Sequence, residues 1–121
     1  MSKNGEQVIQ AIRETVAENR YHVHNGACKF VDYTHNGNYV PSCLVGHGLW
    51  KAGLIDETFF YEPANKNSIS KIGEKLFGFT PKEVDWLLEV QMVQDCKRPW
   101  SEAVESADIE YPLPVKELAN A

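Results

Sequence analysis

The segment from Phe79 to Trp100 constrains this chain more than any other. Thr80 can cap a helix, Pro81 suits its first position, and Glu83 can reach back to close a capping box. Phe79 and Val84 stand at the two positions of a hydrophobic staple. On a helical wheel Val84, Leu87, Leu88 and Met92 share one stripe, with Trp86, Val90 and Val93 behind it. A helix apolar on two sides is covered on two sides, so this one is expected at the centre of the fold. Gln91 and Asp95 fall inside the main stripe, where a polar group needs a partner. A loop carbonyl would serve Gln91. Asp95 would take either N–H groups at the chain restart near Pro99 or the guanidinium of Arg98, with Trp100 closing the corner.

A chain of 121 residues suffices for one hydrophobic core and not for two, so a single domain over residues 1–121 is expected. Val8, Ile9, Ile12 and Val16 recur at helical spacing and predict a first helix over Glu6–Asn19, with Asn4 and Gln7 as its N-terminal box. From Tyr21 to Val40 the pattern becomes short β segments punctuated by Asn25-Gly26 and Asn36-Gly37, both suited to two-residue primed turns. Ala27–Tyr33 is the best strand, Asn38–Val40 pairs with it, and Tyr21–His24 can add a third. A second helix follows, with Ser42 as its cap and Gly53 as its stop, apolar on both sides and with glycines that permit close backbone approach. Leu54–Asn67 is a connection in which Asp56 can cap a short turn. Ser68–Phe77 is a third helix ended by Gly78 in a left-handed cap. Past the central helix, Pro99-Trp100-Ser101 restarts a short helix to about Ala107, and residues 110–121 form an extended, docked tail. The fold class is therefore α+β and mainly helical: a small antiparallel hairpin or meander between the first two helices, then three more helices after the second.

The charge balance narrows the partners. A formal net charge of −5, from 17 acidic against 12 basic residues, disfavours nucleic acid, because phosphate neutralisation supplies most non-specific affinity. The helix pair around Gly78 could be read as a DNA-binding helix–turn–helix, but it would bring Glu83, Asp85, Glu89 and Asp95 towards phosphates. No run approaches the roughly 18–20 apolar residues of a membrane span, and the N-terminus does not read as a signal peptide. Cys28, Cys43 and Cys96 are an odd number without framework spacing, which fits a reducing, cytoplasmic setting. No motif asks for a cofactor.

Three constellations could carry chemistry. Cys43 would sit in the first turn of a helix, where the dipole favours a thiolate, with His47 four residues on along the same face. The Pro41–Leu54 stretch resembles the nucleophile helix of NlpC/P60-type cysteine peptidases, although Ser42 stands where that family has an aspartate and no histidine follows His47. The plainer account is a small buried thiol beside an imidazole that packs on Trp50. His22, His24, His35, His47, Cys28 and Cys43 fall in one region without the pair spacing of a zinc site, so solvent-facing histidines are expected rather than a metal. Gln91, Asp95, Arg98 and Trp100 are read as a structural polar network, since no second carboxylate or histidine sits at fixed spacing to Asp95.

Pro41-Ser42-Cys43-Leu44-Val45-Gly46-His47, followed by Gln91, Gln94-Asp95, Pro99-Trp100 and Ala103-Val104, resembles a pattern of small uncharacterised proteins of actinobacteria and their phages. In that pattern the later block runs Gln-Asp-x-Gly-x-Pro-Trp, and Lys97 occupies the glycine position here. The resemblance spans Pro41–Val104 and carries no known activity. It implies that Gln91–Trp100 is a folding unit whose corner Asp95 and Trp100 lock. The function expected is a non-enzymatic protein-interaction module, a phage-encoded accessory protein acting on a host protein. The alternative is a small cysteine-dependent hydrolase using Cys43 and His47. The binding surface is expected at Phe59, Phe60 and Tyr61. Three consecutive aromatics cannot all enter one core, and an exposed ring would meet a partner protein or a second copy of the chain.

Overall fold

Thr80 Oγ1 accepts the Glu83 N–H at 3.3 Å and the Glu83 carboxylate accepts the Thr80 N–H at 2.8 Å, so the central helix begins where its signals place it. The computed structural model describes residues 1–26 and 29–114. Among these the order is α1 (Lys3–Glu18), β1 (Val31–Tyr33), β2 (Tyr39–Pro41), α2 (Leu44–Lys51), α3 (Ile69–Phe77), α4 (Pro81–Asp95) and α5 (Trp100–Glu110). Two short 3-10 helices, Glu57–Tyr61 and Pro63–Lys66, carry the chain from α2 to α3. The class is α+β, mainly helical, with the hairpin between α1 and α2. α4 packs along α5 and against α3 and α2, while α1 lies along α2. Among the described residues no helix is long and apolar enough to cross a membrane.

α4 is central, but its buried face is not the one that hydrophobicity marks. Glu83, Trp86, Leu87, Val90, Gln91 and Gln94 are buried, whereas Met92 and Asp95 are exposed. The face lies roughly a quarter-turn from the Val84–Met92 stripe. Its polar members are turned inward by the helices they cap. Gln94 Oε1 accepts the N–H of Leu44, the first residue of α2, at 2.7 Å. Gln91 Oε1 accepts the N–H of Ile69, the first residue of α3, at 3.2 Å, rather than bonding a loop carbonyl. Glu83 accepts the Ser2 N–H and hydroxyl at 2.8 and 2.6 Å, and Ser2 Oγ accepts the Gly5 N–H at 3.0 Å to cap α1. One helix thus satisfies orphan N–H groups at the starts of three others. Ser2 is the cap of α1, so that helix begins before Glu6, while Asn4 instead donates its side-chain amide to the Phe77 carbonyl at 3.0 Å.

The stretch proposed as a third strand has another task. The carbonyls of Arg20 and His22 accept the N–H groups of Ser101 and Trp100 at 3.0 and 2.9 Å, so this backbone caps α5 instead of joining a sheet. α5 itself runs past Ala107 to Glu110. Asp108 is held there by both terminal nitrogens of Arg13 at 2.8 Å, and its Oδ1 accepts the Trp86 indole N–H at 2.9 Å. The Arg13 hydrogen bond outweighs partial burial and holds the Asp108 carboxyl below its ordinary value. Ala27, Cys28 and the tail from Val115 lie outside the described residues.

The hairpin forms with a different turn. Gly37 N–H donates to the Thr34 carbonyl, Thr34 N–H to the Asn38 carbonyl, and Gly37 alone in the turn has positive φ, at 87°. A two-residue turn at Asn36-Gly37 would need positive φ at Asn36 as well, and it would set Tyr33 against Val40. The extra residue sets Tyr33 against Tyr39. On its other edge β1 is paired by a side chain. Buried Asn65 accepts the Val31 N–H at 2.8 Å and donates to the Val31 carbonyl at 2.9 Å, as a neighbouring strand would. Asn65→Ala should therefore cost about 2–3 kcal/mol, since it strands a buried donor and a buried acceptor. Urea denaturation checks this, and a loss below about 0.5 kcal/mol would mean that water replaces the amide.

Lys97 follows α4 at φ 64°, alone in that region among the described non-glycine residues. Lys97→Gly is expected to raise stability by about 1 kcal/mol, because the left-handed conformation costs a Cβ-bearing residue that much. An unchanged midpoint would mean that the Lys97 ammonium, 3.4 Å from the His24 carbonyl, offsets the strain.

Candidate functional site

Cys43 is not in the first turn of α2 but is its cap. Its Sγ accepts the Gly46 N–H at 3.4 Å, while Ser42, expected as the cap, donates its backbone N–H to the Phe30 carbonyl. Cys43 has 0% exposure, so no substrate reaches its sulfur in this conformation. His47, expected on Trp50, rests edge-on against Trp100, with ring centroids 5.2 Å apart, and His22 covers Trp100 at 4.4 Å. Burial first, then the electrostatic influence of His22 and His24, lower the His47 pKa. A sealed thiol and an imidazole packed on indole favour a structural part for both. Iodoacetamide labelling followed by peptide mapping should leave Cys43 unmodified in the native protein and label exposed Cys96. Native labelling of Cys43 as fast as Cys96 would restore the nucleophile.

Among the described residues no group of three or more His, Cys, Asp or Glu is placed to hold a metal. The expected polar network is only partly assembled. Gln91 and Trp100 are buried, but Asp95 is exposed and receives the Gln94 amide at 2.9 Å. Arg98 pairs with Glu102, one helical turn on, and not with Asp95. The corner is locked instead by the Trp100 N–H on the His22 carbonyl and by the two imidazoles against its indole. Gln94, rather than Asp95, is the buried polar residue at this end of α4.

The three consecutive aromatics divide. Phe59 turns inward towards Phe30 and Phe77, at 6.1 and 6.5 Å. Tyr61 is 71% exposed, and Phe60 is half-buried between them. Asp56 caps the 3-10 helix that holds them, through the Thr58 N–H at 2.9 Å, and the Thr58 hydroxyl at 2.6 Å, followed by that N–H, keeps its carboxyl below the usual range. Tyr33 and Tyr39, opposite each other on the hairpin, extend the surface. Their rings lie 4.8 Å apart, and Phe60 is 5.3 Å from both Tyr39 and Tyr61. Tyr39 and Tyr61 share a short hydroxyl–hydroxyl contact, which is the main reason the Tyr39 pKa is pushed up to about 12. Lys29 caps one side, its ammonium 5.9 Å from the Phe60 centroid and 3.7 Å from Asp32. The sequence marked Phe60 and Tyr61 but not Tyr33 and Tyr39, which join them only through the hairpin register. Comparison of the chain with protein-family models, with curated proteins and with solved structures gives no match.

Proposed function

We propose that the protein is a non-enzymatic interaction module that docks a partner protein on the face formed by Tyr33, Tyr39, Phe60 and Tyr61. The observation that carries this reading is the contiguity of these rings, with Tyr61 71% and Tyr33 50% exposed. Rings fixed by one another lose little conformational freedom on binding, and aromatic anchors dominate binding energy at interfaces. The edges of the hairpin favour docking by side chains over strand addition. Asn65 already pairs the outer edge of β1, and Pro41 removes a donor from β2. The resemblance to phage and actinobacterial proteins extends the reading to a phage-encoded accessory protein acting on a host protein in the cytoplasm.

A photo-crosslinking residue at position 61, used in extract of an actinobacterial host, tests this. It should join the module to one protein, and the same residue at exposed Gln10 on α1 should not. Tyr61→Ser should weaken binding of that protein by about 30-fold, roughly 2 kcal/mol. Its melting temperature should barely move. A second copy of the chain as the sole adduct would make the face a dimer interface, and equal adducts from positions 61 and 10 would refute the reading.

A further inference from the structure

The aromatic face continues into an open cleft of 490 Å³ between the hairpin turn and the first 3-10 helix. Two aromatic residues, Tyr39 and Trp50, and two acidic ones, Asp56 and Glu57, are among the residues that line it. Among the described residues no lysine, arginine or histidine lines it. Around the whole surface, residues 29–41 and 56–62 hold Asp32, Asp56, Glu57 and Glu62 against Lys29 as the one lysine or arginine. Lys29 shows what this surface accepts: a cation over an aromatic ring with a carboxylate beside it. The cleft repeats that pairing of ring and carboxylate with room for a side chain from outside.

Resting on the docking face argued above, we propose that this cleft receives an arginine side chain of the partner protein, its guanidinium stacked on Tyr39 and Trp50 and paired with Glu57. Arginine fits better than lysine. Its planar, weakly hydrated head stacks on rings and forks onto a carboxylate, whereas an ammonium keeps its water. Asp56 contributes field more than contact, because its Oδ1 already serves the Thr58 N–H and hydroxyl.

The probe is acetyl-Gly-Arg-Gly-amide, titrated into the intact ¹⁵N-labelled protein. The citrulline peptide of the same shape and no charge is the control. The arginine peptide should shift the amides of Asn38, Tyr39 and Glu57 to Thr58 and the Trp50 indole N–H, binding about tenfold tighter than the citrulline peptide. Glu57→Gln should remove that difference without lowering the melting temperature, since Glu57 is exposed. Four results would overturn the inference: equal binding of the two peptides, shifts spread over acidic surface elsewhere, spermidine binding as tightly as arginine, or no shifts at about 10 mM peptide. The peptide carries no aromatic group, so its failure indicts the cleft alone. Failure of the docking face appears in the crosslinking experiment, which the peptide does not read.

Discussion

Gly46→Ala is expected to cost more than about 4 kcal/mol, enough to remove most of the stability of a domain this size. A Cβ at position 46 would overlap the Phe30 carbonyl oxygen and stand 2.8 and 2.9 Å from its Cα and C atoms. These are backbone atoms with nowhere to go. The Phe30 carbonyl is bound by the Ser42 N–H at 2.9 Å, its N–H points at the Asn65 carbonyl at 3.4 Å, and its ring is buried. Relief would separate α2 from the chain entering the hairpin and uncover Phe30, Val31 and Leu44 together. Two other glycines calibrate the effect. At Gly48 the added carbon meets the Ile12 side chain at 2.5 and 3.1 Å and the Val8 carbonyl at 3.1 Å, so Gly48→Ala should cost about 1–3 kcal/mol. At Gly53 nothing lies within 4 Å and only the positive φ of 78° opposes alanine, for about 1 kcal/mol. Guanidinium denaturation should rank the losses 46, 48, 53. A Gly46→Ala protein as stable as Gly53→Ala would show that α2 and the hairpin are not in contact as described.

The order of helices, the turn at Gly78 and the Thr80 capping box were all legible in the sequence, because each rests on neighbours within a few residues, whereas the α2 glycines announced a close approach but not that Phe30, Ile12 and Val8 make it. The orientation of α4 was not. Hydrophobicity sorts residues by their cost of burial, and Glu83, Gln91 and Gln94 are buried for what they bond. Their partners, Ser2, Ile69 and Leu44, lie 81, 22 and 50 residues away. No periodicity encodes such pairings. The error passed directly to Asp95, expected inside the apolar stripe with a bonded partner. Exposed, it should tolerate alanine within about 0.5 kcal/mol. The candidate surface was half legible for the same reason. Consecutive aromatics announce that one must point outward, whereas Tyr33 meets Tyr39 only because the turn at Gly37 holds one residue more than its Asn-Gly signal suggests.

Glu83→Ala should cost about 3–4 kcal/mol, since it strips partners from the Ser2 N–H, the Ser2 hydroxyl and the Thr80 N–H at once. Glu83 has 0% exposure, and water cannot replace its carboxylate without opening the junction of α1 and α4. Gly5 exposes how tight this junction is. A Cβ there would overlap the Glu83 carboxyl group, so Gly5→Ala alone should cost about 2–3 kcal/mol by displacing it. With Glu83 already alanine the obstacle is gone. Gly5→Ala then gains what alanine offers over glycine inside a helix, up to about 1 kcal/mol. The same substitution should therefore change sign with the residue at position 83, giving a coupling of about 3 kcal/mol in a double-mutant cycle. Glu83→Gln should fall between, because one amide oxygen must replace two carboxylate oxygens towards three donors. Thermal and urea unfolding of the four proteins of the cycle measure the coupling. Additive losses would mean that Ser2 does not reach Glu83 and that α1 is capped by its own residues alone.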